Sequence, residues 1–532
     1  MLARLTKSRK LPKQRQQHHY IFNLVGGLNT DMPSTLIAEN ELTHCKDILC
    51  REGVISKGYG NAVFADTDEN PLDGTFMAAN RYIKTNESEK LVLHTTDDIY
   101  YYDTDDDTFI SILGDEELTG DEDDFFTWTI VNDYYVFSNG IAPIYYWNMS
   151  DASISQMIGA TSKAARKMLV FGERLCLYGL PNAFRRVAWT IVGGVSIPPV
   201  ATDWTNTGAG DADLDSVLEN DVIITAEKMG QNIIIYGKHS IVLQEYTGKV
   251  NSPFSFYTLI SNTGTPSRRG VVSVGSSHIV LGQDDVYLYS GGRTVDSLME
   301  GKVRKALFTD INPAYIHRAF LKYVARTNEV CIYYPPIGQT LPTSYFRYNI
   351  TNKSWVRGER SYTGCGEYKR SDSATWGDES DGTTWDEDEG RWDDSNVEES
   401  AAIDLFGDST GEVFIEDEST RDICGVAQSS FFDTKDFTSS SHYREMVVNW
   451  MEVMFEALGS TVSVYYSTDL GYSWKLLKTV TLSSFWTKYT LNCNVNATQI
   501  RFRFFNGDEG GSMEVRPIGV GFIDASDRGK NE

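Results

Sequence analysis

Short apolar runs alternate with turns rich in Asp, Gly and Asn from Tyr20 onward. The runs come in pairs: a mixed apolar strand, a tight turn, then an aromatic strand that ends in Tyr or Trp. Examples of the pairs are Lys90–His94 with Asp98–Tyr102, Lys167–Phe171 with Arg174–Tyr178, and Asn232–Tyr236 with Ser240–Tyr246. This alternation is typical of β-strands. Because the pairs recur roughly every 40–60 residues, they predict radially repeated four-stranded blades, a β-propeller of about five to seven blades.

The pattern changes near residue 428. Apolar and polar positions then alternate through six further runs, at Met446–Glu456, Thr461–Ser467, Trp474–Thr481, Phe485–Leu491, Thr498–Phe505 and Met513–Phe522. Six to eight strands in about 100 residues fit an antiparallel β-sandwich. We therefore predict an all-β chain, with a propeller body at 20–427, a sandwich domain at 428–525 and a polar tail at 526–532.

Two segments interrupt the propeller pattern. Residues 193–220 are rich in Gly, Pro and Asp and are interpreted as a long loop between blades. Residues 371–400 hold twelve acids and one base, Arg391. Three tryptophans, Trp376, Trp385 and Trp392, lie in this acidic loop; we interpret them as anchors against a folded body, with a plain solvated loop as the alternative.

The net charge of the chain restricts the kinds of function that it can have. The 532 residues include 48 Lys and Arg against 74 Asp and Glu, a net charge of −26. This argues against a protein that coats nucleic acid, which would carry a basic surface. It permits a channel wall that repels a passing DNA backbone. The seven cysteines are scattered and predict no disulfide framework, and we see neither a signal peptide nor a membrane-spanning run.

A basic arm covers residues 1–19. Its cations are Arg4, Lys7, Arg9, Lys10, Lys13 and Arg15, and the first acid of the chain is Asp31. One interpretation is a solvated tail. The other is a peptide that orders on a neighbouring subunit, an acidic adaptor protein or DNA phosphates.

The segment Ser467–Trp474 matches the Asp-box pattern S-x-D-x-G-x-x-W, whose fixed residues here are Ser467, Asp469, Gly471 and Trp474. The expected role is structural: the aspartate binds turn amides, the glycine takes a positive φ and the tryptophan covers the hairpin. Sialidases carry several such boxes, and this chain carries one. We predict no catalytic, cofactor-binding or metal-binding residue, since no phosphate loop, nucleophile elbow or zinc-binding spacing occurs.

Several short motifs occur in an order that resembles one family. They are Tyr20–Thr30 with its Gly-Gly-Leu-Asn-Thr turn, Glu52–Gly60, Asp284–Gly292 followed by Gly301–Arg304, Arg347–Trp355, and the segments Thr375–Trp376, Thr384–Asp386 and Arg391–Asp393, which resemble a repeated Thr-Trp-Asp loop. In this order they resemble the tail nozzle or tail hub proteins of short-tailed bacteriophages, also called the tail-tube protein B or DNA-stabilising class.

This resemblance implies a structural virion protein and no enzyme. The family forms a homo-oligomeric ring, expected to be a hexamer, below the portal and adaptor proteins of the head-to-tail connector. The ring continues the channel for double-stranded DNA, retains the packaged DNA and passes it at ejection without sequence-specific binding. Tail fibres or spikes are further expected partners, and the location would be the virion tail, after synthesis in the host bacterial cytoplasm. Whether residues 371–400 gate the channel or dock a fibre stays open.

Two alternatives come from other function classes. One is a sialidase-like propeller glycoside hydrolase that acts on host surface glycans. The other is a glycan-binding or receptor-binding tail component, with the C-terminal sandwich as the lectin.

Overall fold

The computed structural model describes residues 17–65, 67–104, 106–157, 164–218, 220–368, 402–417, 419–438, 445–457 and 460–524. The fold is all-β, as the alternating pattern predicts. The chain forms two compact units. We call residues 1–58, 352–356 and 427–532 the sandwich unit, and residues 59–351 and 357–426 the propeller unit.

Five strands precede the propeller. They are β1 (Gln17–Phe22), β2 (Gly27–Leu28), β3 (Glu41–Lys46), β4 (Ile48–Arg51) and β5 (Val54–Lys57). The first position of β2 favours glycine, since Gly27 has φ +69°.

The propeller unit is built from β6 (Gly60–Val63) and seven groups of strands. Blade 1 contains β7 (Phe76–Ile83), β8 (Glu89–Thr95), β9 (Ile99–Asp103) and β10 (Thr108–Ser111). Blade 2 contains β11 (Thr127–Val131), β12 (Tyr134–Ser138), β13 (Tyr145–Trp147) and β14 (Ser155–Gln156). Blade 3 contains β15 (Lys167–Phe171), β16 (Arg174–Leu180), β17 (Ala183–Trp189) and β18 (Gly210–Asp213). Blade 4 contains β19 (Ile223–Met229), β20 (Asn232–Gly237), β21 (Ser240–Tyr246) and β22 (Phe254–Ser261).

The remaining blades follow in chain order. Blade 5 contains β23 (Val271–Val274), β24 (Ser277–Leu281), β25 (Val286–Tyr289) and β26 (Asp296–Ser297). Blade 6 contains β27 (Phe320–Val324), β28 (Glu329–Tyr334), β29 (Ser344–Asn349) and β30 (Ser354–Glu359). Blade 7 contains β31 (Gly364–Tyr368), β32 (Ile403–Gly407) and β33 (Val413–Asp417), and takes β6 as its fourth strand.

Non-local pairing closes the propeller. Blades 2 to 6 are separate four-stranded antiparallel sheets, and blades 7 and 1 join into one eight-stranded sheet. The junction is a parallel pair in which Cys365 of β31 lies opposite Ala78 of β7. Blade 7 is completed from the N-terminal side, because β6 pairs with β33. The number of blades is therefore seven, the upper end of the predicted range.

Buried aromatic residues join neighbouring blades. His94 of blade 1 binds the Tyr135 hydroxyl of blade 2 at 2.7 Å, and His278 of blade 5 binds the Tyr236 hydroxyl of blade 4 at 2.8 Å. His278 Nε2 lies 3.1 Å from a carbonyl. The ring therefore donates at Nε2 and accepts the tyrosine proton at Nδ1. His94, Tyr135, Tyr236 and His278 lie on the second strands of their blades. Because these strands are buried on both faces, their sequences are short apolar runs.

The segment at 193–220 is not one long loop, which corrects the sequence interpretation. It contains a short 3₁₀ helix at Ala201–Trp204, the outer strand β18 and the four-residue helix α1 (Asp215–Leu218). Strand β18 has the sequence Gly-Asp-Ala-Asp and lies at a sheet edge, so it needs no apolar face and leaves no hydrophobic signal. The other described helices are α2 (Arg304–Asp310) and the 3₁₀ turn Ile316–Arg318.

Eight C-terminal strands complete the sandwich unit. They are β34 (Ser430–Thr434), β35 (Phe437–Thr438), β36 (Met446–Glu456), β37 (Thr461–Ser467), β38 (Lys475–Thr481), β39 (Thr487–Ala497), β40 (Gln499–Asn506) and β41 (Glu514–Asp524). One sheet has the order β39-β36-β41-β5-β4, with β1 also on β41. The other has the order β2-β3-β34-β40-β37-β38, with β35 on β40. Phe455 and Phe504 meet between the sheets, with ring centroids 6.0 Å apart.

The sandwich unit takes its strands from both ends of the chain. Strand β3 pairs with β34, and β1 pairs along β41. The sequence division had placed residues 20–58 in the propeller body, whereas the structure groups them with the C-terminal strands. Partners about four hundred to five hundred residues apart share no local pattern, so periodicity alone could not assign these strands to a unit.

Candidate functional site

The first strands of the seven blades surround a cavity on the propeller axis. Its volume is about 610 Å³, and residues of β7, β11, β15, β19, β23, β27 and β31, or residues directly before them, line it. The parallel pairing of β31 with β7 shows that these two first strands run in the same direction. A cavity of this size falls within the range of small-ligand pockets, about 300–1,000 Å³.

Three arginines line this axial cavity. Arg166 directly precedes β15, and Arg268 and Arg269 lie shortly before β23. All three side chains are half-buried. The sequence analysis did not identify them, although two adjacent arginines before an apolar strand, in a chain with a charge of −26, are a usable signal.

Arg269 forms hydrogen bonds with backbone carbonyls beside three different blades. Its Nη1 donates to the carbonyl oxygens of Thr363 at 2.8 Å and Met77 at 3.2 Å, and its Nη2 donates to the carbonyl oxygen of Arg318 at 3.2 Å. These three residues lie in or beside the first strands of blades 7, 1 and 6. Burial lowers the pKa of Arg269 to about 10, which still leaves the guanidinium charged at neutral pH.

Arg269 also packs between two aromatic rings. Its guanidinium carbon lies 4.1 Å from the ring centroid of Phe125 and 4.8 Å from that of Phe320. Cation–π contacts of this kind hold a charged group where water is scarce. The role of Arg269 is therefore chiefly to fix the starts of the first strands.

Arg166 and Arg268 form fewer hydrogen bonds than Arg269, although the guanidinium carbon of Arg166 also lies 4.0 Å from the ring centroid of the exposed Phe184. Arg166 Nη1 donates to the carbonyl of Ile223 at 2.9 Å, and Arg268 Nη1 donates to that of Asn139 at 3.0 Å. Burial, and then the charge of Arg268, lower the pKa of Arg166 to about 10. Burial also lowers the pKa of Arg268, while Asp124 and Asp123 act in the opposite direction. The charge of Arg268 thus acts unfavourably on the charged form of Arg166, and both side chains line the same cavity.

Few acids offset these cations. Glu227 is the one carboxylate among the cavity-lining residues, and it pairs with Lys167, which also lines the cavity. Asp123 is held by Arg318 at 2.5 Å and His317 at 2.6 Å. Burial would raise the pKa of Asp123, but these two hydrogen bonds outweigh it and hold the pKa below its usual value. The lining therefore carries an excess of positive charge.

The cavity lining includes one thiol. Cys365 lines the cavity, and burial raises the pKa of its thiol despite the opposing charges of Lys322 and Arg269. The reactive form of cysteine is the thiolate. Among the described residues, no group of three or more His, Cys, Asp or Glu is placed to hold a metal ion. The cavity is suited to binding an anion rather than to covalent chemistry.

A second, more open pocket of about 340 Å³ lies in the propeller unit. Its carboxylates are Asp97, Asp121 and Glu122, and the rest of its lining consists of Gly, Thr and Ser residues. Asp121 also accepts a hydrogen bond from the amide of Asp123 at 2.8 Å. In this open acidic pocket, three carboxylates line one space.

The Asp-box-like residues form one turn in the sandwich unit. The Asp469 carboxylate accepts hydrogen bonds from the Ser473 amide at 2.9 Å and the Ser467 hydroxyl at 2.7 Å. Hydrogen bonds from Ser473 and then Ser467 lower the pKa of Asp469 to about 2. Gly471 has φ +91°. Trp474 covers the guanidinium of Arg503 at 4.1 Å, so these contacts fit a structural turn.

The other predicted site residues lie outside the described residues. These are the arm residues Arg4, Lys7, Arg9, Lys10, Lys13 and Arg15, and the loop residues Trp376, Trp385 and Trp392. Their predicted roles stay predictions. No helix in the described part of the chain has the length and apolar character needed to cross a membrane.

No model of a protein family matches the sequence, and no curated protein matches it. Among solved structures, the extracellular domain of BT3049 from B. thetaiotaomicron is 10% identical with a TM-score of 0.39, covering 78% of this chain and 48% of that one. The computationally designed Ika8 protein is 8% identical with a TM-score of 0.36, covering 68% of this chain and 99% of that one. A family 29 carbohydrate-binding module is 9% identical with a TM-score of 0.14, covering 18% of this chain and 70% of that one. At these TM-scores the likenesses carry no functional information about this chain.

Proposed function

We propose that the chain is a non-enzymatic structural subunit of a short bacteriophage tail, the nozzle or hub that continues the DNA channel. In this proposal it forms a ring, expected to be a hexamer, below the portal and adaptor proteins. The ring retains packaged DNA, passes it at ejection and offers sites for tail fibres or spikes. The ordered motifs between Tyr20 and Trp392 suggest this assignment, and an all-β propeller with a sandwich is the fold that the assignment requires.

The observation that most favours a structural role over hydrolysis is the lining of the axial cavity. Glycoside hydrolysis needs two carboxylates, about 5–9.5 Å apart, on either side of the scissile bond. The cavity lining contains one carboxylate, Glu227, and Lys167 engages it. An axial cavity whose described lining has no carboxylate pair supports the structural role.

The size of the axial cavity also restricts where a DNA channel could lie. A space of about 610 Å³ suits a small molecule. It cannot admit a duplex, whose major groove alone is about 12 Å wide. In this proposal, the DNA channel is therefore the bore enclosed by several copies, and the axis of one propeller is not part of it.

The sandwich unit offers a surface suited to subunit contacts. Among the described residues, β38 pairs only with β37 and β39 only with β36, so each ends its sheet with a free edge. Exposed apolar side chains lie beside these edges: Tyr472 is 89% exposed, Phe485 74% and Leu476 56%. Free edges and exposed apolar groups favour association. Apolar contacts would also be needed to hold together copies that each carry −26.

Electron microscopy of the full-length chain, alone and mixed with its tail adaptor protein, tests the proposal. A closed ring with a bore wide enough for duplex DNA is the expected result. A monomer that stays a monomer and does not join the adaptor would contradict it.

The open acidic pocket is where an alternative function, glycoside hydrolysis, can be tested. Asp97, Asp121 and Glu122 face one open space, as the residues of a glycoside hydrolase do. A panel of fluorogenic glycosides separates the two functions. Turnover that is lost in Glu122→Gln and kept in Glu300→Gln, an exposed glutamate outside the pocket, would favour the hydrolase. No turnover on any substrate is expected if the structural proposal holds.

A further inference from the structure

We propose that the axial cavity of the propeller unit is a binding site for a small molecule with one oxyanion group, a carboxylate or a phosphate, held between Arg166 and Arg268. This goes beyond the structural role and does not depend on it. The ligand would act as an internal component of the propeller or as a signal that the cavity detects.

Unused hydrogen-bond donors are the first argument. A guanidinium carries five N–H donors. Arg166 uses one of them on Ile223 and Arg268 uses one on Asn139. The described residues supply no further hydrogen-bond partner to either group. Guanidinium forks match the geometry of carboxylate and phosphate, which bind them by paired hydrogen bonds.

Charge is the second argument. Burying a cation is costly unless an opposite charge accompanies it. Arg166 and Arg268 repel each other, and the one carboxylate in the lining, Glu227, is engaged by Lys167. An anion placed between the two arginines would offset the charge of Arg268 on Arg166 and add to the partial counter-charge that Asp124 and Asp123 give Arg268.

The walls of the cavity restrict the body of the ligand. Phe125, Phe126, Trp128 and Phe320 contribute aromatic surface, and Val271 and Leu321 contribute aliphatic surface. Pockets that combine apolar walls with a few well-placed polar groups are typical for small organic ligands. We therefore expect an anion that carries a ring, such as a sugar acid or a sugar phosphate, to bind more tightly than a bare anion.

Arg269 provides the contrast that separates a ligand role from a structural one. It binds three backbone carbonyls of three blades and packs between two rings. Its replacement should unfold the propeller. Arg166 and Arg268 each make one such bond, so their replacement should leave the fold intact and change ligand binding.

The experiment is a calorimetric titration of the full-length chain at constant ionic strength. The probes are inorganic phosphate, glucose 6-phosphate, glucuronate and, as the neutral control, glucose. Saturable binding of at least one anion and none of glucose is expected. Tighter binding of glucose 6-phosphate than of glucuronate identifies phosphate as the recognised group. The reverse order of affinity identifies carboxylate. No saturable binding of any anion would overturn the proposal.

Variants then locate the site. Arg166→Gln and Arg268→Gln should each weaken binding about tenfold or more, since each removes a charge-assisted contact. Arg268→Lys should restore part of the affinity. The matched control is Arg186→Gln, an exposed arginine of the outer region of blade 3 that pairs with Asp211 and Asp213. Equal binding by wild type and by both cavity variants would overturn the proposal.

A measurement on the wild-type side chains covers the case in which a variant fails to fold. Trp128 lines the cavity, so its emission should change saturably with the probe that calorimetry selects. The change should be absent in Trp128→Phe at probe concentrations that calorimetry shows to saturate that variant. An emission change that survives in Trp128→Phe, with no change attributable to Trp128, would place the anion elsewhere and contradict the assignment.

Discussion

Val63 of β6 pairs with Phe414 of β33, across 351 positions of the chain, and this pairing closes the propeller. Phe414 is 7% exposed and lies in a cluster with Tyr362 and Phe406. Strand β6 comes from before blade 1, so blade 7 cannot form its fourth strand until both ends of the propeller segment meet. The seven blades thereby depend on one another, since loss of the closing strand exposes an edge of the last sheet.

Phe414→Ala should destabilise the propeller by about 3–5 kcal/mol, because it removes a buried aromatic ring beside the closing strand and leaves a cavity. Urea unfolding followed by tryptophan fluorescence measures the change in free energy of unfolding. Phe485→Ala is the matched control, since Phe485 is 74% exposed and exposed sites usually change stability by less than about 0.5 kcal/mol. Equal effects of the two variants would show that ring closure adds little stability.

Arg347→Met should cost about 3–5 kcal/mol, because it leaves buried carboxylates without their partner. The Arg347 side chain is 4% exposed and contacts Glu329, 2% exposed, and Glu416, 13% exposed. The control is Arg186→Met, whose side chain is 42% exposed and pairs with Asp211 at 3.2 Å. Exposed pairs contribute about 0–1 kcal/mol. A loss at Arg347 no greater than that at Arg186 would refute the buried-pair argument.

Stability should fall below about pH 6.5 in a way that depends on His94. Burial lowers the pKa of His94 to about 3 in the folded chain, whereas an unfolded histidine has a pKa of about 6.5. The unfolded state therefore binds the proton first. The stabilising contribution is complete above pH 6.5 and is lost as the pH falls toward 3, by about 1.4 kcal/mol per pH unit.

His94→Gln should remove about 2 kcal/mol of the stability difference between pH 7 and pH 5. Urea unfolding at the two pH values measures this difference. His239→Gln, at an exposed histidine, should behave like wild type. A His94→Gln chain with the same pH dependence as wild type would mean that His94 takes up a proton in the folded state.

Gly471→Ala should lower the melting temperature more than Gly53→Ala. Both glycines have a positive φ, +91° at Gly471 and +83° at Gly53, so both substitutions introduce backbone strain of about 1 kcal/mol or more. A Cβ at Gly471 would also lie 3.0 Å from Arg501 Nη1, whereas one at Gly53 would meet nothing within 4 Å. Thermal unfolding by circular dichroism measures both. Equal shifts would show that Arg501 moves aside at no cost.

Phe485→Asp should weaken self-association at least tenfold if the free edges of the sandwich form the subunit contact, because a charge would enter an apolar interface. Sedimentation of the full-length chain over a range of concentrations measures the change. Tyr257→Asp is the control, at a tyrosine that is 53% exposed on β22 of the propeller unit. Loss of assembly in Tyr257→Asp alone would move the interface to the propeller.

Local patterns predicted the strands well where one face is buried. The predicted runs Met446–Glu456 and Thr461–Ser467 coincide with β36 and β37. Successive side chains of a strand point to opposite faces, so a strand with one buried face has alternating apolar and polar residues. The second strands of blades 1, 3 and 4 were also predicted, as the runs Lys90–His94, Arg174–Tyr178 and Asn232–Tyr236, because burial on both faces leaves continuous apolar runs. The outer strand β18 was missed, because an exposed edge strand needs no apolar side chains.

The candidate site could not be predicted in the same way. Arg166 and Arg268 are about one hundred positions apart, and the adjacent arginines at 268 and 269 do not indicate that Arg166 lies in the same cavity. Only the ring of first strands brings them to one cavity. The Asp-box turn, by contrast, was predicted as a structural element from eight consecutive residues, because its hydrogen bonds all lie within that segment.

The sequence by itself determined the all-β class, the propeller repeat, most strand positions and the Asp-box turn, since each depends on contacts between near neighbours in the chain. The tertiary structure decided the number of blades, the closing pair of β6 and β33, the membership of residues 20–58 in the sandwich unit and the meeting of the arginines. These features depend on pairings across hundreds of residues. Such pairings depend on the free energy of the whole fold, and the local periodicity of the sequence does not indicate them.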